Sequence, residues 1–194
     1  MSRDLLVDIS RALEEKFYRE KDAALLDYLR SQADEGQLRT HLSEVSHIHD
    51  PAVLDDLIRV GVNAESFVAF SLLPLVRVAW SDGEVADSER DAILKAADGE
   101  GIPHASANYQ LLEGWLEAGP KAGLLDAWRE YARALARELD ETSLAAVRHT
   151  ALARARRIAQ AAGGILGLGN RISKNEELSL LDLAHAFDKP SELL

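Results

Sequence analysis

Cysteine is absent from the 194 residues. That excludes a disulfide framework, a zinc site built on thiolates and a thiol nucleophile together. Aromatic residues are scarce, at 6% of the chain, and long runs of Val, Ile and Thr of the kind that build buried strands are missing. Leu and Ala abound instead, and they suit helix packing better than a sheet. An all-α protein is therefore expected. No apolar run is long enough for a bilayer: Phe67 to Trp80 covers 14 residues and includes Arg77, whereas a span needs about 20. Met1-Ser2-Arg3-Asp4-Leu5 lacks the basic stretch and apolar core of a secretory signal. The expectation is a soluble, cytoplasmic chain that does not span a membrane.

Positive charge is also in short supply. The net charge is -11, and it is unevenly spread: residues 1–120 hold 11 Lys and Arg against 23 Asp and Glu, while residues 121–194 hold 11 against 10. An acidic front half repels phosphate backbones, so nucleic acid is not the expected partner. Cations or basic protein surfaces suit it better. The length is enough for one generous domain that buries about 70% of its unfolded surface without a staple.

What is present is helical periodicity. Leu6, Ile9, Leu13, Phe17, Leu25 and Leu29 predict a long first helix to Arg30, with a polar turn at Arg19–Asp22. Leu38, Leu42 and Val45 predict a short second helix. Asp50-Pro51 predicts the start of a third, with Asp as cap and Pro in the first turn, and Gly61 its end. Glu65 to Trp80 is apolar on every side and belongs at the centre of a bundle. Pro74 should kink or divide it. Further helices are expected over Asp87–Ala97, around Tyr109–Leu116 and over Leu124–Leu135. A long one capped by Thr142 or Ser143 should run through Ala162, and a last one should follow the capping box Ser173-Lys174-Asn175-Glu176. These boundaries divide the chain into an N-terminal helical extension, 1–62, and a helical domain, 63–194.

Two stretches align: Val78 to Ile93, through Asp82-Gly83, Val85 and Glu89, and Ile165 to Leu180, through Ile172 and Glu176. In each, a helix end and a tight turn lead to a lone aliphatic, with a glutamate four residues later. The aliphatic suits a plug between two antiparallel helices, and the glutamate suits the N-terminus of the second helix, where the dipole is positive. Two related helical hairpins are expected, packed about a pseudo-two-fold.

Leu73-Pro74-Leu75-Val76-Arg77-Val78-Ala79-Trp80-Ser81-Asp82-Gly83-Glu84-Val85, with Glu89-Arg90 and Ile93, resembles the tellurite-resistance TerB family. Gly163-Gly164-Ile165-Leu166-Gly167 and Ile172…Glu176 resemble its second copy. The likeness covers about residues 63–188. It implies a TerB-like multi-helix bundle, an acidic surface, divalent-cation binding and a role in bacterial metal, tellurite or envelope stress. The chain departs from the pattern at Ala86, where a capping Ser or Asp is wanted and Asp87 is expected to serve, and at Gly169-Asn170, where the second Asp-Gly would sit.

Asp82, Glu84, Asp87 and Glu89 are the candidate metal ligands. Asp82-Gly83-x-Val85-x-x-x-Glu89 matches the second half of an EF-hand loop, but Val78 and Trp80 stand where the opening acidic ligands belong. The turn is thus open to two roles, a helix cap or a weak site for calcium or a similar divalent cation. His47-x-His49 has no third ligand nearby and suits a surface turn. Gly163-Gly164-x-x-Gly167-x-Gly169 has neither a preceding strand nor a following Lys-Ser/Thr, so close helix packing explains it better than phosphate. Arg154-x-Arg156-Arg157 spreads over more than one helix face. Trp115 and Trp128 are expected in the core. No catalytic constellation is recognisable. The expected function is a non-catalytic binding module acting on a protein partner, with a homodimer through the N-terminal helices as one form of it. A metal-binding stress protein is the alternative, and a metal-dependent hydrolase the third reading.

Overall fold

The computed structural model describes residues 16–24, 35–162 and 172–188. The regular elements among these residues are all helical. In chain order they are α1 (residues 16–24), α2 (Glu35–Ser46), α3 (Pro51–Arg59), α4 (Phe67–Ser71) and α5 (Leu73–Ala79). A 3-10 turn over Trp80–Asp82 follows, then α6 (Asp87–Gly99), α7 (Ala107–Ala118), α8 (Leu124–Glu138), α9 (Glu141–Ala162) and α10 (Lys174–His185). The glycine-rich stretch 163–169 and the predicted end of the first helix at Arg30 lie outside the described residues.

Pro74 divides the apolar segment. It sits in the first turn of α5, where a missing N–H costs nothing, and α4 stops at Ser71. The short α5 buries Leu73, Leu75, Val76 and Val78 and packs against α4, α6, α7, α8, α9 and α10. A helix apolar all round is stable only in such a place. Around it, α9 packs on α5, α6 and α10, and α10 also packs on α5 and on the 3-10 turn.

The buried core is continuous across residue 62: Leu42, Ile48, Leu54 and Leu57 join the cluster of Phe70, Leu75, Trp128 and Leu135. Polar contacts reinforce this. Glu138, at the end of α8, accepts from the backbone N–H of His49 at 3.1 Å and of Asp50 at 3.3 Å. Asp50 caps α3 by accepting from Ala52 N–H at 3.0 Å, as its sequence position predicts. On the other side, α1 lies against α7. Trp115 Nε1 donates to Asp22 Oδ2 at 2.9 Å and Arg19 Nε to the Ala118 carbonyl at 3.3 Å.

The caps show where local sequence decides. Ser173 and Glu176 form the expected capping box: Ser173 N–H donates to Glu176 Oε2 at 2.5 Å and Glu176 N–H to Ser173 Oγ at 3.2 Å. The cap of α9 differs from expectation. Asp140 accepts from Thr142 N–H at 2.9 Å and Ser143 N–H at 3.0 Å, so the capping oxygen precedes both residues expected to supply it. The hydroxyl and N–H of Ser143 then hold the Asp140 carboxyl below its ordinary range. Ser173→Ala is expected to cost about 1 kcal/mol in urea denaturation, with the loss of one of α10's capping bonds.

Candidate functional site

The acidic turn is built from the end of α5. Trp80 Nε1 donates to the Trp115 carbonyl at 2.8 Å and anchors the 3-10 turn on α7. Gly83 closes the turn at φ +98°, a left-handed conformation open to glycine. Val85 then packs against the core. Ala86 is the residue before α6 and has no side-chain acceptor. Asp87 does not take over as the cap, because it is already the first helical residue. The one side-chain bond at this helix start comes from Glu89, whose Oε2 accepts from Ala86 N–H at 2.9 Å.

The candidate ligands are thereby split. Asp82, Glu84 and Asp87 are exposed, while Glu89 is 3% exposed and turned inward. No three His, Asp or Glu side chains are grouped to hold a metal ion among the described residues. Glu89 instead meets Glu176, itself 5% exposed. Burial raises the Glu89 carboxyl from its ordinary 4.5 to about 7, and the Glu176 and Asp82 charges add to the rise against the Ala86 N–H bond. Oε1 of Glu176 is buried without a hydrogen-bond partner. In the sequence Glu176 is the equivalent of Glu89, each four residues after a lone aliphatic, Ile172 and Val85, and that spacing is the signal that relates them.

The remaining expected positions stand apart. His47 and His49 are exposed, with buried Ile48 between them, and His49 Nδ1 lies 3.0 Å from Ser43 Oγ. Arg154 is paired with Glu100. Trp115 and Trp128 are buried, at 1% and 6% exposure.

A second feature leaves no mark in the sequence. An open groove of about 350 Å³ runs between α8 and α9 over α5. Trp128, Tyr131 and Leu135 line it from α8, Leu75 from α5, Leu72 from the junction of α4 and α5, and Phe187 from beyond α10. Val147, Thr150 and Ala151 form the α9 side, and Val147 is 38% exposed. The aromatic side of the groove is built from packed rings. Tyr131 stacks edge-on against Phe67 and Phe70, and Trp128 against Phe187, with centroids 5.4, 6.0 and 5.7 Å apart. Burial pushes the Tyr131 hydroxyl up to about 12, so it stays protonated at neutral pH. A second recess of about 460 Å³ lies between α6 and α9 and shares Leu75 and Arg154 with the first.

No family model, no curated protein and no solved structure matches the chain.

Proposed function

We propose that this chain is a non-catalytic helical binding module that takes a segment of a protein partner in the α5–α8–α9 groove. The observation that supports this reading is the groove itself. It is concave and mostly apolar, carries two buried aromatic rings, and is edged by an exposed valine. Buried aromatics in a preformed depression are the usual anchors of protein recognition. A TerB-like bundle with two related hairpins, and a place in bacterial metal, tellurite or envelope stress, rest on the resemblance of Leu73–Val85 and Glu89 alone. The bonds from Ala86 N–H to Glu89 and from Ser173 N–H to Glu176 are compatible with that repeat.

A photo-crosslinking residue at Val147, compared with one at exposed Glu44 on α2, tests the reading in cells. A discrete protein adduct from Val147, suppressed by Thr150→Trp, is expected. The same adducts from both positions would contradict it.

The alternative, a divalent cation at the acidic turn, has one observation in its favour: the unpartnered Glu176 Oε1 beside Glu89. Two carboxylates fall short of the six to eight oxygens calcium takes, leaving the rest to Asp82 and solvent. Calorimetric titration with calcium or zinc separates the readings. The groove reading expects neither heat nor a change in melting temperature at millimolar metal. A rise in melting temperature that Glu89→Gln removes would favour the cation.

A further inference from the structure

The geometry points to a particular occupant for this groove: an amphipathic helix of a partner protein whose apolar face ends in acidic residues. The inference rests on the groove being the binding site, and it adds the partner's chemistry.

Charge carries the argument. The groove opens at Leu75 and Arg154 into the second recess, where Lys95, Arg154 and Arg157 gather with Glu100 as the one lining carboxylate. Arg154 is paired with Glu100, while Lys95 and Arg157 have no ion-pair partner among the described residues. A cationic patch of this kind in a chain of net charge -11 is a local reversal of sign. It meets the apolar groove at Leu75 and Arg154. A ligand that matches both parts is greasy along most of its length and anionic at one end.

Helical form follows from the walls. Both sides are helices, so the groove offers no sheet edge for an added strand. Val147, Ala151, Arg154 and Ile158 recur along α9 at helical spacing, so one face of α9 runs from the apolar part to the basic part. From Val147 to Ile158 that face extends about 16 Å, the length of a helix of about eleven residues, with Arg157 beside its far end. Small side chains at Thr150 and Ala151 let a second helix approach closely.

The test uses the full chain and three labelled synthetic helical peptides, read by fluorescence anisotropy. One has Leu at positions i, i+4, i+7 and i+11 with Glu in one end turn. The second has Lys in place of Glu, and the third has Ser in place of Leu. The acid-ended peptide is expected to bind at least tenfold more tightly than the Lys-ended one. The Ser-substituted peptide should not bind. Lys95→Glu combined with Arg157→Glu should reverse the preference, and Thr150→Trp should abolish binding of both, with melting temperatures confirming that the variants fold. Equal affinity for the acid- and Lys-ended peptides, both lost in Thr150→Trp, overturns the acidic partner and leaves the groove reading intact. No binding of either Leu-faced peptide overturns both. If the chain sediments as a dimer that Val147→Glu converts to monomer, and the peptides do not compete, a second copy fills the groove and the inference fails.

Discussion

Replacing Trp115 by Ala is expected to lower stability by about 4 kcal/mol, within the range for truncating a buried Trp. The side chain is 1% exposed and lies in the core with Leu111 and Leu112 of α7. Truncation leaves a cavity and also takes away the donor to Asp22 Oδ2. Oδ1 of Asp22 already lacks a hydrogen-bond partner, and burial has raised its carboxyl to about 6 despite that bond and the Lys121 charge. Without the indole N–H the buried acid has still less to hold it, and α1 loses a main attachment to α7. Trp115→Phe separates the two effects. It keeps most of the volume and should cost about 1–3 kcal/mol through the unpaired acid. Hydrogen exchange should then rise in residues 16–24 out of proportion to the global loss. Equal protection of that segment in wild type and Trp115→Phe would show that the Asp22 bond does not hold α1.

Glu89→Gln is expected to flatten part of the pH dependence of stability. The Glu89 carboxyl is raised from 4.5 to about 7, so the folded chain holds this proton more tightly than the unfolded chain does. Its stabilising contribution is therefore complete below about pH 4.5 and is lost as pH rises through about 7. The expected loss across that window is on the order of 2 kcal/mol. Asp22 is shifted in the same direction and leaves a residual slope at lower pH. Gln keeps an oxygen for the Ala86 N–H while carrying no charge. The variant should thus be more stable than wild type above about pH 8 and close to it near pH 5. Urea denaturation of both proteins across pH 5–9 measures this, and parallel curves would rule out a proton held at Glu89.

These features were unequally legible in the sequence. Pro74 and Gly61 act through backbone chemistry that needs no tertiary context, and the breaks they mark are where the structure has them. Ser173-x-x-Glu176 is similarly local. The cap of α9 lies two or three residues before the expected Thr142 or Ser143, because Asp140, Thr142 and Ser143 all offer a capping oxygen and spacing alone does not choose among them. Glu89 was legible as a candidate ligand from its spacing. Its enclosure with Glu176 was not, because that depends on α10 packing over the 3-10 turn. The groove is the extreme case. Trp128, Tyr131 and Leu135 read as an ordinary core stripe, and they are indeed mostly buried. That they also line a depression depends on how α9 lies across α5, which side-chain periodicity does not encode.

The most direct measurement is the set of backbone amide chemical shifts of the full chain during titration with the acid-ended helical peptide. Saturable changes are expected at Leu75, Tyr131, Leu135, Val147 and Ala151, extending to Lys95 and Arg157, with Asp82 to Glu89 unaffected. Saturable binding whose shifts avoid these groove residues, or no change at any of them up to millimolar peptide, would contradict the assignment of this groove as the binding site.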